Sequence, residues 1–76
     1  MSPIEHIRRI IFKSSQAAFA DIAGTTQATV SRWETGELEP GREEMAKIRE
    51  HAMLLGEWND RWFFEVPADP QPASAA

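Results

Sequence analysis

The chain is predicted to be all-α: a compact five-helix domain made of four full-length helices and a short C-terminal helix or extended arm. Three observations carry this expectation. Apolar residues recur at helical spacing in successive segments up to residue 56. Residues that start and stop helices stand between those segments. Within residues 16–35, read as QAAFADIAGTTQATVSRWET, a small residue, a glycine, a valine and a tryptophan occupy the offsets required by two helices that cross steeply.

Helix 1 starts at Ser2 and Pro3, an N-cap followed by proline at the first helical position, and Ile4, Ile7, Ile10 and Ile11 draw an apolar stripe that runs through Phe12. Helix 2 starts at Gln16. In it Ala20 is small enough for another helix to cross closely above, and Phe19, Ile22 and Ala23 supply apolar contacts. Gly24 stands where this helix must stop, in a left-handed backbone conformation that a side chain would penalise. Thr25 and Thr26 offer hydroxyls to the amides of a new helix, with Thr26 as its N-cap. On helix 3, Val30 and Trp33 lie three apart on the inward face. Residues 37–42 contain Pro40 and Gly41 and read as a surface loop. Helix 4 begins near Arg42 or Glu43 with acidic residues in its first turn, keeps Met45, Ile48, Ala52 and Leu55 at helical spacing, and stops at Gly56.

Beyond Gly56 the chain concentrates Trp58, Trp62, Phe63, Phe64 and Val66 within residues 58–66. Two readings stand side by side. In one, a short fifth helix capped by Asn59 or Asp60 plugs the base of the bundle. In the other, part of the patch is exposed in a monomer and forms a two-fold dimer contact, as a helix or as an extended strand. The domain spans residues 1–66, and the proline- and alanine-rich residues 67–76 read as a disordered tail.

The outward face of helix 3 holds Gln27, Ala28, Ser31 and Arg32, with Thr29 and Thr35 at its margins. Any surface helix is polar somewhere, so a merely solvated face is the plain reading. The side-chain chemistry favours a nucleic-acid surface. Glutamine can bond an adenine edge twice, arginine can take guanine O6 and N7, and an alanine methyl can meet a thymine methyl.

The stretch SQAAFADIAGTTQATVSRWETGELEP resembles the helix-turn-helix of the phage Cro and repressor family, also called the XRE family. It has the Ser-Gln helix start, the Ala-x-x-x-Gly turn, the Val-Ser-Arg-Trp-Glu recognition helix and the Gly-x-x-x-Pro exit. The resemblance implies a repressor-like domain that binds double-stranded DNA as a homodimer, on half-sites about one helical turn apart. It places Gln27, Ala28 and Arg32 at base edges. Gln16 would brace a phosphate, and Thr26, Thr29, Ser31, Thr35 and Gly36 would follow the DNA backbone. It further implies an ion pair between Arg9 and Glu34. Two departures stand out: Thr35 replaces the usual asparagine, and Glu37 follows the glycine where a basic residue is common, with Glu39 close behind.

Net charge is −4, which opposes DNA binding until the chain is divided. Residues 1–36 carry four basic side chains against three acidic ones, whereas residues 37–76 carry four against nine. An acidic rear orients the basic front toward DNA. At 76 residues, folding buries about 60% of the unfolded surface, so efficient packing or a partner subunit must supply stability. The chain has no cysteine, which excludes disulfides and thiolate sites and fits a reducing cytoplasm. The apolar run near the N-terminus is too short and too charged for a membrane span or a signal peptide.

His6 and His51 each read as surface residues, with no H-E-x-x-H spacing, phosphate-cradling glycine loop or Gly-x-Ser-x-Gly elbow near them. No catalytic activity, metal or cofactor is expected. The function indicated is sequence-specific transcription regulation, as repressor or activator. Activation would need a contact to RNA polymerase, for which Asp21 or the Glu37 and Glu39 loop are candidates. The alternative is an interaction module of antitoxin type that holds a toxin-like protein through the acidic, aromatic second half.

Overall fold

In helix 1, Ser2 stands extended before the first turn and its hydroxyl accepts from the Glu5 amide at 3.2 Å, with Pro3 at the first helical position. This computed structural model describes residues 1–67, so the expected disordered tail lies outside the described residues except for Pro67. All regular elements among the described residues are helical. Helix α1 is Pro3–His6, and it continues as a π-helical turn over Ile7–Ile11, where the Phe12 amide reaches the Ile7 carbonyl at 3.0 Å.

The π turn corrects the expected stripe. Ile4 and Ile7 are buried and Ile11 and Phe12 pack on the core, but Ile10 is 52% exposed. Bonding from i to i+5 widens the turn and rotates the residues after Ile7, so Ile11 takes the inward place that α spacing shares with Ile10.

Helix α2, Gln16–Ala23, starts at Ser15, whose hydroxyl accepts from the Ala18 amide at 3.1 Å. It ends at Gly24 with φ +76°, as expected, and the Thr25 amide returns to the Ala20 carbonyl at 2.9 Å. Helix α3, Gln27–Thr35, starts at Thr26, whose hydroxyl accepts from the Thr29 amide at 3.2 Å. It ends at Gly36 with φ +83°. Phe19, Ala20 and Ala23 of α2 face Val30 and Trp33 of α3 within one buried cluster, while Ile22 is half-buried. The two helices therefore bury the stripes that their spacing specifies.

Helix α4, Arg42–Leu55, begins where expected, with Glu43 and Glu44 in its first turn. Ile48 and Ala52 are buried, and Met45 packs against the core. Leu55 is not part of that face: it is exposed together with Met53 and Leu54. The 14 residues of α4 run past the bundle, and the chain after Gly56 returns to α1 instead of covering the last turn. Phe19, Ile7, Ile48 and Val30 are the largest fully enclosed side chains, so α1, α2, α3 and α4 share one core.

The C-terminal segment forms a 3₁₀ turn, Asp60–Phe63, capped by Asn59, whose side chain accepts from the Arg61 amide at 2.9 Å. No extended strand forms among the described residues there. Trp58 meets Trp62 and Phe63 edge-on with ring centroids 5.4 and 5.1 Å apart. Asp60 Oδ1 accepts from Trp58 Nε1 at 2.6 Å and from Arg49 Nε at 3.1 Å, which ties the turn to α4. Phe63 is buried, Trp58 and Trp62 are half-buried against the core, and Phe64 is 75% exposed. The plug is therefore real, and one aromatic ring is left outside it.

His6 is a further correction. It was expected at the surface, yet it is buried beneath Trp62, whose ring meets it edge-on at 5.7 Å. Burial holds its pKa below the ordinary histidine value, and its Nδ1 has no hydrogen-bond partner among the described residues. His51 is exposed, as expected.

Candidate nucleic-acid interface

The Thr26 cap and the Gly36 stop hold α3 as a rigid rod whose inward side is fixed by Val30 and Trp33. That anchoring decides what faces out. Gln27, Ala28, Arg32, Thr35 and Gly36 are exposed, and Thr29 and Ser31 are half-buried at the margin. The Arg32 guanidinium makes no ion pair or hydrogen bond among the described residues. Its charge is thus available to an incoming acceptor. The Thr26 hydroxyl is committed to the cap and also donates to Thr29 Oγ1 at 3.0 Å, so both threonines are oriented. Thr35 Oγ1 donates to the Arg32 carbonyl at 3.1 Å.

Gln16, the first residue of α2, is half-buried and reaches the last turn of α3. Its Nε2 donates to Glu34 Oε1 at 3.0 Å. Glu34 is in turn held by Arg8, whose Nε and Nη2 donate to its two oxygens, while Arg8 Nη1 donates to the Ser14 carbonyl at 2.9 Å. The Arg8 and Glu34 side chains are only 15% and 10% exposed. A single carboxylate thereby joins α1, the loop before α2, and α2 itself to the end of α3.

The partner of Glu34 is Arg8 and not Arg9, which corrects the expected pair. Arg9 lies on the solvent side and bonds Glu5 at 2.9 Å, one helical turn earlier. The sequence contains this signal: a glutamate four residues before an arginine is the favoured orientation for a helical pair, so Glu5 claims Arg9 and leaves Arg8 for the core side. Arg8 is the residue of this site that sequence reasoning missed.

The two acids beyond Gly36 are exposed. The left-handed Gly36 turns the chain so that the Glu37 and Leu38 amides fold back on the Arg32 carbonyl at 3.0 and 3.3 Å. Glu39 and Pro40 then line a shallow groove of about 280 Å³ together with Trp33, Ser2, Pro3 and Phe64. Since Trp33 belongs to the inward side of α3, Glu39 is carried toward the C-terminal segment.

No described helix is long and apolar enough to cross a membrane. No curated protein and no solved structure matches the chain significantly. A helix-turn-helix family model matches residues 7–51, from the π turn through most of α4 and so more than half of the chain. With two capped helices packed on each other and joined at a left-handed glycine, and a polar face on the second, this chain belongs to the helix-turn-helix family of Cro/repressor (XRE) type and is a DNA-binding transcription regulator.

Proposed function

We propose that the protein reads a palindromic operator as a homodimer, with α3 in the major groove. Gln27, Ala28 and Arg32 meet base edges. Gln16, Thr29, Ser31, Thr35 and Gly36 follow the phosphates, and Thr26 acts by orienting the first-turn amides of α3 toward them. The observation that carries this reading is the exposed trio Gln27, Ala28 and Arg32, with the Arg32 guanidinium uncommitted among the described residues, on a helix whose opposite face is locked into the core. Occupancy of an operator is enough for repression.

Of the aromatic cluster, Phe63 is turned inward and Trp58 and Trp62 are partly covered, so the dimer contact would centre on Phe64 with Val66 beside it. Selection of bound sequences from a random duplex pool at two salt concentrations tests the whole reading. The expected result is an inverted repeat with half-sites about one helical turn apart. A single half-site would remove the dimer, and no enrichment at either salt would favour the toxin-holding alternative.

A further inference from the structure

Among the described residues, Gln16 is the one proposed backbone contact whose side chain is already tied to a carboxylate in the free protein. An ionised carboxylate only accepts, so the bond to Glu34 Oε1 settles which way the Gln16 amide is turned: its nitrogen faces Glu34. That nitrogen carries two hydrogens. Glu34 takes one, and the second makes no hydrogen bond among the described residues. A glutamine at the surface otherwise samples many rotamers, and ordering it costs conformational entropy. Here the ordering is already done.

A carboxylate next to a DNA phosphate would ordinarily be repulsive. Arg8 removes that difficulty, because it engages both Glu34 oxygens and is itself fixed to the Ser14 carbonyl. The result is a neutral, nearly enclosed pair that offers Gln16 a strong acceptor without presenting net negative charge to the duplex.

We propose that the Arg8 and Glu34 pair positions Gln16 so that its second amide hydrogen is aimed at a DNA phosphate before contact is made, and that Glu34 is thereby a positioning residue for DNA binding as well as a strut of the fold. This rests on the reading of Gln16 as a backbone contact.

The test is a double-mutant cycle read by fluorescence anisotropy on a mixed-sequence duplex of about two helical turns at low salt. One arm is Gln16→Ala. The other is the joint change Arg8→Met and Glu34→Leu, which removes the anchor, keeps net charge constant and leaves no unpaired buried ion. Gln16→Ala is expected to weaken binding about tenfold in the native background, the size of one hydrogen bond to a charged group, and less than about twofold in the background that carries the joint change. Equal losses in both backgrounds overturn the positioning role while leaving Gln16 as a phosphate contact. No loss in the native background removes the Gln16 contact itself. A second measurement needs no variant: the Gln16 side-chain amide is expected to show an NMR order parameter well above that of exposed Gln27 in the free protein. Equal mobility of the two overturns the proposal even if the joint variant does not fold.

Discussion

The motif, residues 16–35, and the aromatic segment, residues 57–66, bury large side chains by opposite means. In the motif each helix start carries a hydroxyl cap, each stop is a left-handed glycine, and Trp33 lands 5% exposed on the face its spacing assigns. In the aromatic segment a single 3₁₀ turn is held by edge-on rings and by one carboxylate that serves both Trp58 and Arg49, and Phe64 next to buried Phe63 is 75% exposed. Periodic backbone bonding tells each motif side chain which way to face. A short turn does so only through its tertiary partners, so neighbouring aromatics part company.

The largest expected effect tests the motif core. Trp33→Ala should cost about 3–5 kcal/mol in urea unfolding, the loss typical of deleting a buried large aromatic, and a variant with native stability would show that Trp33 does not carry the packing of α3. Arg32→Ala should weaken operator binding by about 1–3 kcal/mol and relax preference at one base pair. A uniform loss on all sequences would reassign Arg32 to a phosphate. Smaller again, Thr26→Ala should remove about 1 kcal/mol of stability, as for other N-caps, whereas Thr26→Ser should retain most of it.

The aromatic side of the comparison is sharpened by pH. His6 is buried beneath Trp62 with its pKa lowered, so the unfolded chain binds the proton first. Its contribution is whole above about pH 6.5 and is lost as the pH falls through the lowered native value. Unfolding measured at pH 7.5 and 5.5 should show lower stability at the acid value, and His6→Gln should flatten that difference; an unchanged slope would place the proton elsewhere. Glu5 and Asp60 are also held below their ordinary values, by Arg9 and by Trp58 with Arg49 respectively, and they act only at still lower pH. The smallest stability effect is expected for Phe64→Ala, within about 0.5 kcal/mol as for other exposed sites. The same variant should shift sedimentation toward the monomer if Phe64 centres the dimer contact, and an unchanged species would move that contact off this segment.

These contrasts also explain what could be read from the chain. Thr26, Gly24, Val30 and Trp33 behave as their spacing requires, because caps, stops and helical faces are local properties. Ile10 departs because a π turn changes the rotation per residue without a compositional mark. Leu55 departs because burial at a helix end depends on whether another segment covers it, and none of the described residues does. His6 is buried only because the chain returns from Gly56 to lay Trp62 on α1, a long-range event that α1 alone does not announce. The exposed side of α3 was legible for the same local reasons as its buried side. The Arg8 bond to Glu34 spans 26 residues, and it was discoverable only by first assigning Arg9 to Glu5.

Gly24 and Gly36 share a left-handed backbone, but their surroundings differ. A Cβ at Gly24 would stand 2.6 Å from Lys47 Nζ, while among the described residues nothing beyond its chain neighbours lies within 4 Å of one at Gly36. Asparagine, which tolerates this backbone region, could therefore replace Gly36 with little disturbance to the fold. At position 24 it would first have to displace Lys47 and withdraw a cation from the C-terminal end of α2. The fold therefore leaves position 36 more latitude than position 24, where a side chain requires the flexible Lys47 ammonium to swing aside, and what restrains position 36 is its proposed place beside the DNA backbone.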